Sequence, residues 1–192
     1  RTLCAEVHVE ALAPRSKRAL SALGFLTGEA LSLRYFRSAA LQRWVDATVS
    51  RERIGRAFAY SSPMAQYILG RPGLRCVVDF VDMDSAKWTD YARRRAWPMA
   101  AIFRWEGERL LAFEHDAAAR ADATLFVTEE EAELFRASGP GNAGRVVAVR
   151  NGVNSDYFSP SHELASPFAA GELPIVFTGA MDYWPNIDAV TW

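Results

Sequence analysis

The chain has 192 residues, half of them apolar, with 22 Lys and Arg against 23 Asp and Glu and a formal net charge of −1. That length and apolar share suit one buried core, or one plus a piece of another, and exclude a disordered segment. Near-neutral charge supplies none of the strongly basic surface that duplex nucleic acid demands, so nucleic acid is not among the expected partners.

In chain order, Val7 to Leu12 reads as a short strand, and the Pro14-Arg15-Ser16 break leads into a helix closed by Gly28. From Ser38 the apolar positions Leu41, Trp44-Val45 and Thr48-Val49 recur at helical spacing. Ala57 to Tyr60 is a brief strand, Pro63 to Leu69 a helix, and Gly70 to Gly73 a turn into an apolar strand over Arg75 to Phe80. A helix follows from Asp84 to Trp97, with Asp84 or Ser85 as its N-cap. Trp97-Pro98 marks a kink or fresh start before a long helical segment reaching Ala121. Ala123 to Val127 is a strand, Thr128 caps a helix through Phe135, residues 138–144 form a Gly-rich loop, and Arg145 to Val149 is the next strand. Strands alternating with helices predict right-handed parallel crossovers and an α/β fold.

Cys4 and Cys76 lie in strand-like apolar contexts and are expected to be two buried free thiols, which suits a cytoplasmic setting. No apolar run approaches the roughly 18 to 20 residues that span a bilayer. Arg1 stands where a start Met would, with a strand-like segment almost at once, and implies that chain precedes it. Of the basic residues only Lys17 and Lys87 are lysines. That excess of Arg reflects either a GC-rich genome or a use of Arg for bidentate phosphate contacts.

Three stretches carry chemistry. At the carboxyl end of the Arg75 to Phe80 strand stand Asp82, Asp84 and Ser85, followed by Lys87 and Trp88 on a helix. Ligands of open α/β sheets lie beyond the strands' carboxyl ends. Carboxylates there accept from sugar hydroxyls, and a Trp face stacks on a sugar ring. The structural alternative has Asp84 capping the helix, Asp82 paired with Lys87 and Trp88 in the core. Asp82-Met83-Asp84 also matches a minimal metal-diphosphate grip, a pattern common by chance. The second stretch is Glu114 followed by Asp122 to Thr128. Here Thr128 acts first as an N-cap and can also line the cleft, while Glu114 satisfies backbone or Arg groups beneath it. The third runs from Asn151-Gly152 through a polar stretch to Ile175-Val176-Phe177, an apolar run that reads as a strand, with Gly179 in the turn after it. Tyr91, Arg93 to Arg95 and Trp97 form a basic and aromatic patch, either a solvated helix face or a contact for anionic lipid. His8 reads as a strand residue, and neither it, His115 nor His162 has the spacing of a ligand set.

The strings FVDMDSAKW from Phe80, LFVTEEEA from Leu125, NGVNSDYFSP from Asn151 and VFTGAMDYWPN from Val176 resemble the family-four, GT-B-fold glycosyltransferases. Among these they resemble the sugar transferases of the bacterial PEP-CTERM/exosortase system. The resemblance implies a Rossmann-like parallel sheet flanked by helices. Residues 1–160 would be the acceptor-side domain, lacking its first strand and loop; residues 161–192 would be a linker and the first strand and helix start of a donor-binding domain. It implies retaining transfer from a nucleotide sugar to an exopolysaccharide or lipid-linked acceptor at the cytoplasmic membrane face, without a bound metal or other cofactor. Asp82, Asp84, Ser85, Lys87, Trp88, Thr128 and Asn151 would then line the acceptor side, and Gly179, Met181 and Asp182 the donor side.

Two departures stand out. The family's Gly-rich loop after the first strand is missing, as is the basic and paired-Glu region of the donor domain, so this piece alone is expected to be inactive. Ile175, Val176 and Phe177 are expected to pack on the first domain, extend its sheet edge or meet a second copy. The reading from another class is a non-catalytic α/β binding or scaffolding module. A small hydrolase complete at this length is disfavoured, since no GxxxxGK[ST], GxGxxG or GxSxG occurs.

Overall fold

Strand β2 (Arg75–Val81) alternates, with Cys76, Val78 and Phe80 buried and Val77, Asp79 and Val81 only half-buried. It lies inside a four-stranded sheet with β1 (Arg56–Tyr60), β3 (Ala123–Phe126) and β4 (Val146–Ala148), in the order β1-β2-β3-β4. All three pairings are parallel, with Phe58 opposite Val77, Val78 opposite Thr124 and Leu125 opposite Val147. The computed structural model describes residues 3–139, 145–159, 165–169, 171–181 and 184–191. These fall into two units, Arg1–Asn151 and Gly152–Trp192.

The sheet belongs to the first unit, and helices cover its core face. Between β2 and β3 run α5 (Asp84–Arg93) and α6 (Met99–Arg120), and α7 (Glu129–Ala137) connects β3 to β4. Phe80, Phe126 and Phe135 meet at its centre with ring centroids 5.2 to 5.7 Å apart. Ala117, Ala118 and Ala132 are fully buried around them, small enough for helix backbone to approach the sheet. This is the Rossmann-like parallel α/β architecture that the alternation of elements predicts. Phe58, Tyr60 and Val147, on the strands' other face, are exposed.

Before the sheet come α1 (Pro14–Ser21), α2 (Gly24–Thr27), α3 (Leu31–Phe36) and α4 (Ala39–Arg51). Gly28 ends α2 with φ 71°, the left-handed geometry that favours glycine, and Ser38 caps α4 by accepting from the Leu41 N–H. Helix α3 was not foreseen, being too short to show a period.

Several expectations are corrected. Val7 to Leu12 is not a strand: no ladder pairs it, and the segment is fastened by side chains instead. There the His8 ring stacks on Trp44 at 4.9 Å, and the Trp44 indole donates to Glu6 at 3.1 Å. Cys4 is accordingly exposed, and only Cys76 is a buried thiol. The segment expected as a helix from Pro63 to Leu69 is a 3-10 turn, Ser62–Tyr67. Helix α5 stops at Arg93, short of Trp97, and the Arg145 to Val149 strand is trimmed to three residues. Most of the Gly-rich loop, residues 140–144, lies outside the described residues.

In the second unit α8 (Trp184–Thr191) is helical as expected, but Ile175 to Thr178 is no strand. Ile175, Val176 and Phe177 are exposed, because no neighbouring strand among the described residues satisfies their backbone.

Candidate functional site

Strands β1 and β2 both end in backbone that side chains disfavour. Ser61 has φ 75° and Val81 φ 68°. For a β-branched residue such a φ costs on the order of 1–2 kcal/mol and persists only where surroundings over-determine it, as they do at ligand sites. Here they do. The Val81 N–H donates to the Asp79 carboxylate at 2.9 Å, and the Val81 carbonyl accepts from the Val127 N–H at 2.8 Å. The Ser61 N–H reaches the Asp79 carbonyl at 2.8 Å, and the β2–β3 register shifts between Asp79 and Val81. The bend therefore aims the next residues out beyond the sheet's carboxyl edge.

Those residues form one charged group. Lys87 Nζ donates to Asp82 at 2.7 Å and to Asp84 at 3.2 Å, and all three side chains are about one-third exposed. Burial by itself would lower the Lys87 pKa; the hydrogen bond to Asp82 and the charge of Asp84 outweigh it and hold the ammonium above its ordinary value. Asp84 is not the cap of α5 but its first residue, and Ser85 is the second. Met83 takes the cap position and has no capping side chain of its own. Its N–H donates instead to the Glu131 carboxylate of α7 at 2.8 Å. The Glu131 N–H in turn donates to Thr128 Oγ1 at 3.2 Å, the expected N-cap, so the first turns of α5 and α7 are tied through one glutamate.

Directly beneath sits Glu114, from the middle of α6 and wholly buried. The Ser85 hydroxyl donates to it at 2.5 Å, the Ser85 N–H at 3.3 Å and the Ser62 hydroxyl at 3.4 Å. Burial raises its pKa to about 8, against the Ser85 hydroxyl bond that lowers it and with the help of the Asp84 charge. Its proton is held more tightly than that of an ordinary glutamate. The expected backbone contact is present, and hydroxyls stand where Arg groups were the alternative.

Asp82, Asp84, Ser85 and Lys87 thus come together at the carboxyl edge, with Thr128 joined to them through Glu131. Trp88 does not join them: it turns to Tyr91 and Phe103, with ring centroids 5.8 and 5.2 Å away, and is half-buried. Asn151, the last residue of its unit, is exposed. Gly179 and Met181 are exposed in the second unit, and Asp182 lies outside the described residues. A Cβ on Gly179 would stand 2.7 Å from the Asn186 side-chain amide, which itself donates to the Ala180 carbonyl. Arg93 to Arg95 and Trp97 are exposed, and Arg93 pairs with Asp90 at 2.8 Å.

Reading the sequence did not reveal Ser62, Glu131 or the strain at Val81. A second buried carboxylate, Glu106 of α6, was equally unforeseen. Its signal was present in the helical stripe Ile102, Phe103, Leu110, Phe113 and Ala117, into whose period Glu106 and Glu114 both fall.

Exposed carboxylates and an ammonium beyond parallel strand ends suit recognition of a hydroxyl-rich ligand. A family model described as a glycosyl transferase 4-like domain matches residues 4–152, nearly all of the unit that carries the sheet. The chain belongs to that family. No curated protein and no solved structure matches it. A glycosyltransferase domain acts on sugars. Among the described residues, no helix is long and apolar enough to cross a membrane.

Proposed function

We propose that this chain is the acceptor side of a retaining glycosyltransferase that moves a sugar, of hexosyl type, from a nucleotide-sugar donor to an exopolysaccharide or lipid-linked acceptor. The observation that carries the reading is the Asp82, Asp84 and Lys87 group, displayed beyond the carboxyl edge of a glycosyltransferase sheet. Asp82 and Asp84 receive acceptor hydroxyls, Lys87 holds both carboxylates in place, and Ser85 and Thr128 fix the two helix starts below. Since an ammonium already bridges the two carboxylates, the site works without a bound metal. Asn151 belongs to the acceptor side, and Gly179, Met181 and Asp182 belong to the donor side. The likeness of FVDMDSAKW, LFVTEEEA and VFTGAMDYWPN to PEP-CTERM-associated sugar transferases supports a bacterial enzyme of exopolysaccharide synthesis. It would work in the cytoplasm, peripheral to the inner membrane, with Arg93 to Arg95 meeting anionic lipid.

Residues 152–192 form no strand among those described, so they supply no sheet on which a nucleotide diphosphate could rest. The 192-residue chain by itself is therefore expected to be inactive, and its exposed Ile175 to Phe177 run is a place where two copies could pair. The test is a panel of nucleotide sugars with saccharide and lipid-phosphate acceptors, offered to the full-length enzyme and to this chain. Acceptor-dependent release of nucleoside diphosphate from the former alone, with Asp82→Asn raising KM for the acceptor, is the expected result. Turnover by the isolated chain would overturn its inactivity. No turnover by the full-length protein with any donor would leave the scaffolding module as the reading.

A further inference from the structure

A cleft of about 360 Å³ opens between α1, α3, α5 and α6. Its walls are Leu31 and Tyr35 from α3, Trp88 from α5, and Ile102 and Phe103 from α6. The volume falls in the range of small-molecule sites.

Of the cleft's polar side chains Glu106, Ser32 and Ser21 are already spent, whereas the Tyr35 hydroxyl, the Trp88 indole N–H and the Arg18 guanidinium make no hydrogen bond among the described residues. Glu106 accepts from the Leu31 N–H at 2.5 Å, from the Ser32 N–H at 2.9 Å and from the Ser32 hydroxyl at 2.6 Å. Its carboxylate therefore caps α3 from across the fold. The Ser21 hydroxyl donates to the Arg18 carbonyl at 2.8 Å. A sugar ring placed here would leave most of its hydroxyls unmatched against aromatic walls, at a cost on the order of 1–3 kcal/mol for each buried one. An aliphatic chain carries no polar group of its own to desolvate against these walls. Arg18, at the exposed rim, is the one cation lining the cleft, and its guanidinium makes no ion pair or hydrogen bond among the described residues.

From apolar walls and a single unpaired cation at the mouth, we infer that this cleft binds an anionic amphiphile: one aliphatic chain along Trp88 and Phe103, with its phosphate on Arg18. The inference deepens the proposed function, and rests on it in taking the amphiphile to be the lipid part of the acceptor. Binding itself stands apart from sugar transfer.

The probe is dodecyl phosphate below its micelle concentration, titrated calorimetrically into the 192-residue chain, with inorganic phosphate and dodecyl maltoside as controls. One molecule of dodecyl phosphate should bind per chain. Dodecyl maltoside should bind more weakly, and inorganic phosphate should show no uptake. Arg18 is exposed, so Arg18→Glu leaves the fold intact and should weaken dodecyl phosphate roughly tenfold. Ile102→Trp should fill the cleft and abolish binding of both detergents, with circular dichroism checking that this variant is folded. No binding of dodecyl phosphate, or binding that Arg18→Glu leaves unchanged, overturns the inference, and so does inorganic phosphate binding equally well. Sugar transfer by the full-length enzyme without dodecyl phosphate binding sinks this inference and spares the proposed function. Dodecyl phosphate binding lost in both variants, with no sugar transfer to any acceptor, does the reverse.

Discussion

The Ser85 hydroxyl lies 2.5 Å from a carboxyl oxygen of Glu114 and donates to it, fastening the first turn of α5 to the middle of α6. The charged residues from Asp82 to Lys87 flank that contact on the same helix start. The unfolded chain releases the Glu114 proton near the ordinary value of 4.5, whereas the folded chain keeps it to about 8. Between those values the native state holds the extra proton, so this group makes stability fall as pH rises, and its effect levels off above about 8. The slope is at most about 1.4 kcal/mol per pH unit. Glu114→Gln keeps the shape and removes the titration. Urea melts at pH 5, 6, 7 and 8 should show the wild type losing ground to the Gln variant across the series, and parallel profiles would refute the raised pKa.

Helix α6 lies close against α5 at Gly107. A Cβ there would come within 2.8 Å of Thr89 Oγ1 and 3.1 Å of the Ser85 carbonyl, which as backbone cannot swing away. Alanine's higher helix propensity, worth about 1 kcal/mol, works in the opposite direction. Overpacking of this kind costs about 1–3 kcal/mol. Gly107→Ala should therefore lower the denaturation midpoint. A midpoint that rises instead would mean that the two helices are less closely packed than described.

Thr124 is completely buried in β3, and its hydroxyl finds no hydrogen-bond partner among the described residues. Valine has nearly the same shape, suits a strand as well, and carries no polar atom to desolvate. Thr124→Val should stabilise the chain by about 1 kcal/mol. A thermal melt that moves downward would indicate a partner for the hydroxyl.

Thr128 caps α7, and the glutamate it holds is the one that satisfies the Met83 N–H. Thr128→Ala should cost about 1 kcal/mol, and Thr128→Ser should recover most of it. Amide exchange at Met83 should quicken in the Ala variant. Loss of stability without faster exchange there would show that the two helix starts are independent.

Much of the fold was legible because it obeys local rules. The alternating β2, the long period of α6 and the cap at Thr128 each show in a short window of sequence. What failed to show was long-range. Val7 to Leu12 and Ile175 to Thr178 have strand composition, yet a strand exists only where another is present to pair with it. Asp84 looked like a cap because nothing in its own neighbourhood reveals that Glu131, 47 positions further on, serves the N–H at that helix start. The residues of the charged group were readable as a set, since they crowd into one strand end and one helix turn. Their buried support was not, because Ser62, Ser85 and Glu114 meet only after two crossovers.

Glu106 and Glu114 are eight positions apart on one uninterrupted helix, which at 1.5 Å per residue separates them by about 12 Å. One carboxyl anchors the greasy cleft and the other the charged ledge. Because the same stiff rod carries both, the distance between them is set by the helix pitch and not by loops that could drift. Helix α6 is in this sense a gauge: a molecule gripped at its tail by the cleft would present its far end at a fixed reach, and one too short or too long would miss the ledge.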